Sequence, residues 1–154
     1  MSFQIVEGDI TKMKVDAIVN SANNRLKNGA GVCGAIFQAA GIKELTEECK
    51  GIGRCEVGQA VLTKGYALPA PYIIHTVGPV WHGGFFREKE KLASCYQKSL
   101  ELAREKGLKS IAFPLISSGV YHYPREAALQ VAKESIERFL KYNDMDVYLV
   151  LYQK

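Results

Sequence analysis

Ser110-Ile111-Ala112-Phe113-Pro114-Leu115-Ile116-Ser117-Ser118-Gly119-Val120-Tyr121-His122-Tyr123-Pro124 is the stretch that decides the fold. It opens with an apolar run that does not alternate, which reads as a strand buried on both faces. It closes on Pro124, which suits the first turn of a helix because its missing N–H would have no partner there. From Pro124 to about Tyr142, small and apolar residues recur at helical spacing: Ala128, Val131, Ala132, Ser135, Ile136, Phe139 and Leu140. A buried strand passing through a short polar loop into a long amphipathic helix is the repeating unit of a layered α/β protein.

Working outward, the same alternation recurs. Phe3 to Val6, Ala17 to Val19, Ala60 to Thr63, Tyr72 to Val77, Ser110 to Ile116 and Asp146 to Tyr152 read as strands. Val32 to Ala40 reads as a small-residue helix ending at Gly41. Glu88 to Lys106 carries Leu92, Tyr96, Leu100 and Ala103 on one side and stops at Gly107. The expected architecture is a three-layer α/β/α domain around a mixed, mostly parallel sheet, with one domain spanning residues 1–154. In such sheets ligands bind beyond the carboxyl ends of the strands, so the strand-end loops are where function is sought.

Composition narrows the classes. The 154 residues are 47% hydrophobic and 23% charged, which excludes a disordered chain. The net charge of +4 is mild, and a nucleic-acid reader concentrates its basic residues more strongly. The run Arg87-Glu88-Lys89-Glu90-Lys91 alternates in sign and reads as a solvated helix start. No apolar run reaches the roughly 18–20 residues of a membrane span. Cys33, Cys49, Cys55 and Cys95 show neither a Cys-x-x-Cys pair nor zinc spacing. They read as reduced thiols of a cytoplasmic protein without a secretory signal, and no metal or cofactor is expected.

Three strand-end loops carry polar or glycine-rich signals. In Glu7-Gly8-Asp9-Ile10-Thr11, Asp9 can accept from an exocyclic amine, or Asp9 and Thr11 can simply cap a turn. Asn20-Ser21-Ala22-Asn23-Asn24 runs on to Asn28-Gly29-Ala30-Gly31-Val32-Cys33-Gly34-Ala35 at a helix start, where backbone N–H groups can meet phosphate oxygens. The spacing Gly29-x-Gly31-x-x-Gly34 imitates a dinucleotide fingerprint. It follows a polar loop rather than a strand, however, and the acidic residues further on, Glu47 and Glu48, read as solvated surface, so a nicotinamide site is rejected. The third loop is Ser117 to Pro124. Its hydroxyls and the Gly119 backbone can hold a diphosphate with Tyr121 against a sugar, or the loop can be a helix cap with half-buried aromatics.

These three loops, in this order, together with Tyr72-Ile73-Ile74-His75-Thr76-Val77-Gly78-Pro79-Val80-Trp81, resemble the macro domain family of ADP-ribose-binding modules, from about Ile5 to the C-terminus. The resemblance implies that Asp9 accepts the adenine amino group while the Ile10 backbone addresses the ring. Asn23 would hydrogen-bond the distal ribose, with Asn20 shaping the loop. Backbone groups at Ala22, Gly31, Val32, Cys33 and Gly34 would lie against the phosphates and ribose. Ser117, Ser118, Gly119, Val120 and Tyr121 would wrap the diphosphate, with Tyr121 close to the distal ribose. His75, inside a strand, reads as a core residue.

One departure bears on function. The hydrolytic MacroD-like branch, which processes ADP-ribose 1''-phosphate and ADP-ribosyl esters, has an aspartate just before the glycine matching Gly34, and here that position is Cys33. A thiol with a reference pKa of ~8.5 is a poor general base. Some family members that lack the aspartate nevertheless hydrolyse, and the ligand's own phosphate can help position the water. Cys33 reads as an apolar filler or as a reactive thiol, and His122, where the family often has glycine, as an alternative acid/base or a plain loop substitution. Asn23, Cys33 and Tyr121 are therefore the candidate catalytic residues. The resemblance implies either a hydrolase acting on mono-ADP-ribosylated acidic side chains or O-acetyl-ADP-ribose, or an ADP-ribose reader with little turnover. A stand-alone chain favours turnover, having no attached domain to direct. The expected partner is ADP-ribose or an ADP-ribosylated protein bound by a monomer, with no membrane; binding of RNA or poly-ADP-ribose is a third, weaker reading that the charge pattern supports little.

Overall fold

The computed structural model describes Ser2–Tyr152. Six strands form one sheet: β1 (Ser2–Gly8), β2 (Ala17–Ser21), β3 (Ala60–Lys64), β4 (Tyr72–Thr76), β5 (Ser110–Phe113) and β6 (Asp146–Tyr152). Their order is β1-β6-β5-β2-β4-β3. Every pairing is parallel except β3 on β4, which runs antiparallel at the edge. Four helices cover the sheet: α1 (Gly31–Ala40), α2 (Ile42–Ile52), α3 (Glu88–Glu105) and α4 (Arg125–Leu140).

The pleat sorts side chains between two cores, because successive residues of a strand point to opposite faces. Ala17, Val19, Ile111, Phe113, Val147 and Leu149 pack with Leu92, Tyr96 and Leu100 of α3 and Ala128, Ala132 and Ile136 of α4. Ile18, Ile73, Ala112 and Val150 pack on the other face with Ile36 and Phe37 of α1 and Leu45 and Cys49 of α2. The result is the expected α/β/α sandwich.

Three local readings change. β5 ends at Phe113 rather than Ile116, since Pro114 has no N–H to continue a ladder. The helix α2 was not anticipated. It begins immediately after the Gly41 that ends α1 and buries only Leu45 and Cys49. Finally, Glu88 is not part of a solvated helix start. It is 1% exposed, and its carboxylate accepts the N–H groups of His82 and Gly84 at 2.9 and 3.0 Å and of Phe86 at 2.7 Å. Burial opposes ionisation there, but those three donors together with Glu88's own N–H outweigh it and bring the carboxyl down to about 2.

Connectivity places the site. From β2 the chain leaves through α1 and α2 towards β3 and β4, while from β5 it leaves through α4 towards β6 and β1. β2 and β5 are adjacent, so their connections diverge to opposite sides and opposite faces. That divergence opens a crevice at the carboxyl ends of these strands, as in other open α/β sheets.

Candidate functional site

A cleft of about 640 Å³ occupies that crevice. Its walls come from the chain after β1 (Gly8, Asp9, Ile10), after β2 (Ser21, Ala22, Asn23), at the start of α1 (Gly29 to Cys33) and after β5 (Pro114 to Tyr121). β1 and β2 are three strand spacings apart, so the cleft spans about 14 Å from Asp9 to Asn23, with the Ser117–Tyr121 loop between them.

At one end Asp9 caps the short 3-10 turn Ile10–Lys12. Its Oδ1 accepts from the Thr11 hydroxyl at 2.7 Å and the Thr11 N–H at 2.9 Å. The hydroxyl bond is the main reason the carboxyl lies below its usual range, against a partly opposing burial. Capping and ligand binding are thus compatible, since Oδ2 has no partner among the described residues.

The middle of the cleft is lined by backbone donors. The first turn of α1 has no side-chain cap, because its N-cap residue is Ala30. The N–H groups of Gly31, Val32 and Cys33 have no acceptor among the described residues, and neither do those of Gly119, Val120 and Tyr121. Six donors from two elements therefore open on one crevice, one set at the positive end of a helix. The second loop is held in shape by Tyr123 N–H to Ser117 O at 2.9 Å, His122 N–H to Gly119 O at 3.0 Å and Ser118 Oγ to Leu115 O at 2.9 Å. Ser117 and His122 take left-handed φ values of 67° and 61°. Ser117 Oγ is buried and unpartnered among the described residues.

At the far end Asn23 folds back on its own loop. Its Nδ2 donates to Lys27 O at 2.8 Å, and its Oδ1 accepts from Lys27 N at 3.0 Å. A carboxamide has two N–H groups and two lone pairs, so one donor and one acceptor site remain for a ligand. Cys33 is 6% exposed. Its thiol donates to Lys27 O at 3.5 Å and accepts from Asn20 Nδ2 at 3.7 Å. Burial pushes the Cys33 pKa up, outweighing bonds to Asn20 and the Gly29 backbone. It is a neutral, inward-held thiol, as a filler would be, with the chemistry of neither a base nor a thiolate nucleophile.

Two residues expected against the ligand stand behind the cleft wall. Asn20 is fully buried, its Nδ2 3.0 Å from His75 Nδ1. Gly34 does not line the cleft. Its role is steric, because a Cβ there would collide with the Gly29 carbonyl. His122 is exposed and is not among the residues that line the cleft, so the cleft holds no acid/base pair with it. The other expected residues, Asp9, Ile10, Ala22, Asn23, Gly31, Val32, Cys33 and Ser117 to Tyr121, are all in the wall. Sequence reading missed Arg125, the only cation in the lining among the described residues, and Tyr152, which faces Gly8 in the β1–β6 register. Arg125 had a signal, as the first residue of the helix that opens the loop. Tyr152 had none, since its place depends on pairing the two ends of the chain.

Comparisons with known proteins show the family of this fold. The family model described as Macro domain matches residues 19–132. A macro domain-containing protein of Methanosarcina mazei is 58% identical over 98% of this chain and 81% of its own length. The ADP-ribose glycohydrolase MACROD2 of Xenopus laevis is 52% identical over 89% of this chain, corresponding to 33% of that longer protein. The Oceanobacillus iheyensis macrodomain with ADP superimposes with a TM-score of 0.93 at 44% identity, covering 97% of this chain and 83% of that one. A Trypanosoma brucei macrodomain in complex with ADP-ribose superimposes at 0.86 with 41% identity, over 95% of this chain and 62% of that one. The chain belongs to the macro domain family.

Proposed function

We propose that the cleft binds ADP-ribose and slowly hydrolyses esters at its distal ribose. The carrying observation is the convergence of six free backbone N–H groups between Asp9 and Asn23, which suits a diphosphate between two sugars with an adenine at the Asp9 end. Asp9 Oδ2 takes the adenine amino group, beside Tyr152. The remaining donor and acceptor of Asn23 take the distal ribose, with Tyr121 near it. The ADP-bound and ADP-ribose-bound relatives and the glycohydrolase name of MACROD2 support this reading.

Hydrolysis then proceeds without a protein base. Asp9 is the only carboxylate in the lining among the described residues, and it stands at the wrong end. Asn23 holds the ribose while the ligand's own phosphate positions a water at the anomeric carbon. Attack there breaks the C1''–O bond and releases the acid as a carboxylate, so the esters concerned are mono-ADP-ribosylated acidic side chains and O-acetyl-ADP-ribose acylated on the anomeric oxygen. Four free, buried cysteines suit a monomer working in the reducing cytoplasm. The absence of a carboxylate near Asn23 favours a second reading, a reader with no turnover.

Melting in the presence of ADP-ribose tests binding, because stabilisation grows as ln(1 + [L]/Kd). Asp9→Ala is expected to weaken binding about 10- to 100-fold, the worth of a charge-assisted hydrogen bond. An unshifted wild-type melt at millimolar ADP-ribose refutes the assignment. Demodification of a glutamate-linked substrate tests turnover. Asn23→Ala should suppress it, and Cys33→Asp should raise it about 100-fold by supplying a general base. A wild-type protein that releases nothing over many hours leaves the reader.

A further inference from the structure

A second cavity, of about 710 Å³, lies on the other side of the loop that carries Asn23. Its wall contains Arg25, Lys27, Lys50 and Arg54 and no acidic residue. Arg54 Nε is paired with Glu56 at 2.7 Å. Arg25, Lys27 and Lys50 have no ion pair among the described residues. Three unpaired cations around one hollow contrast with the main cleft, whose lining contains only Arg125.

The segment from Asn23 to Asn28, which contributes to both cavities, is held by its own hydrogen bonds. Lys27 gives its backbone N–H and carbonyl to Asn23 and also lines the basic pocket. Leu26 is 2% exposed and holds a left-handed φ of 57°. Its N–H donates to Asn23 O at 3.0 Å, and Cys55 N–H ties the loop to the segment after α2 through Asn24 O at 3.0 Å. Whatever is joined to the distal ribose at Asn23 therefore leaves the cleft next to this hollow.

We propose that the pocket lined by Arg25, Lys27 and Lys50 binds carboxylates of the polypeptide that carries the ADP-ribose, so that acidic sequence around the modified residue is a specificity determinant. This rests on the cleft binding ADP-ribose. Opposite charges supply the attraction, and the concave wall concentrates it. A nucleotide chain is the weaker match. The pocket contains no aromatic side chain, and single-stranded nucleotide sites rely on aromatic stacking as well as charge.

The test uses two peptides with one glutamate joined to ADP-ribose through a non-hydrolysable bond, one flanked by Asp and Glu and the other by Asn and Gln. At low salt the acidic peptide is expected to bind wild type about fivefold tighter, the scale of two or three exposed ion pairs. The advantage should vanish at about 0.5 M salt, where exposed charges are screened, and in the variant Arg25→Glu/Lys50→Glu. Affinity for free ADP-ribose should be the same in both proteins, which shows the variant folded with its cleft intact. Equal affinities for the two peptides in wild type overturn the proposal. So does a charge-reversal-sensitive gain found for an ADP-ribose dimer and not for the acidic peptide. Free ADP-ribose failing to bind wild type is a separate outcome, which overturns the cleft assignment beneath it.

Discussion

Cys33 changes most when its neighbours are seen. Thr63 Oγ1 lies 2.9 Å from His75 Nε2, His75 Nδ1 lies 3.0 Å from Asn20 Nδ2, and Asn20 Nδ2 reaches the Cys33 thiol at 3.7 Å. The thiol reaches Lys27 O, which also accepts from Asn23 Nδ2. Donor roles assign along this line: Asn20 donates to Nδ1, so the proton sits on Nε2 and points to Thr63 Oγ1, whose own proton goes to Lys64 O at 3.2 Å. Cys33 is thus one link in a polar chain running from the sheet edge to Asn23. Its burial and its raised pKa set its reactivity. Alkylation by iodoacetamide at pH 7.5, followed at Cys33 by mass spectrometry, is expected to run at least ~100-fold slower in the folded protein than in denaturant, because only an accessible thiolate reacts. A folded-state rate within a few-fold of the denatured one would mean that the thiol stands open to the cleft and is available for chemistry.

Among the elements, the loop from Val80 to Arg87 shows how the site is supported from outside. Glu88 gathers three of its N–H groups. Trp81, inside the loop, donates its N–H to Tyr121 O at 2.8 Å and packs on the Tyr123 ring with centroids 4.7 Å apart. Glu88→Gln should therefore lower the melting temperature at pH 7 and weaken ADP-ribose binding through Tyr121. The gap to wild type should narrow as pH falls from 4.5 towards 2, because the wild-type carboxylate is then lost too. A constant gap across that range would show that the charge contributes nothing. In the sequence this clamp looked like alternating surface charge, since nothing in Arg87 to Lys91 marks one carboxylate as folded back onto preceding amides. The helix α2 was hidden for a related reason. Leu45 and Cys49 alone are too few to form a legible stripe, and Glu48 is spent on tertiary bonds to Lys64 N at 3.0 Å and Tyr66 OH at 2.6 Å. What was legible had local causes. Continuous apolar runs gave the strands, Pro124 and Gly41 gave helix ends, and polar residues directly after buried strands gave most of the cleft wall. Gly34 was read as a ligand contact because sequence shows that a glycine is needed there and not whether the close neighbour is a phosphate or the Gly29 carbonyl.

For the whole molecule, the two buried titrating groups place acid destabilisation in two successive windows. His75 is fully buried, and burial alone brings its pKa from 6.5 down to about 4. Above pH 6.5 the ring is neutral in both the folded and unfolded chains, so stability is at its full value. Between 6.5 and about 4 only the unfolded chain takes up the proton, so stability falls as pH falls, by about 1.4 kcal/mol per pH unit and about 3 kcal/mol in all. Below 4 the folded ring is protonated as well. Both ring nitrogens are then donors, and Nδ1–H meets Asn20 Nδ2, which breaks the chain leading to Cys33 and Asn23. Glu88 acts in the second window with the same direction and a different cause. Its folded pKa lies below the ordinary 4.5 of a glutamate, at about 2, so its contribution is complete above 4.5 and lost as pH falls towards 2. Denaturant titrations at half-unit steps from pH 7.5 to 3 should show a decline beginning near 6.5, before carboxylates titrate. The His75 ring resonances should stay at their neutral positions down to about pH 5. A ring midpoint near 6.5 would mean that the histidine is solvated, and with it that the polar chain from Thr63 to Asn23 is not closed in solution.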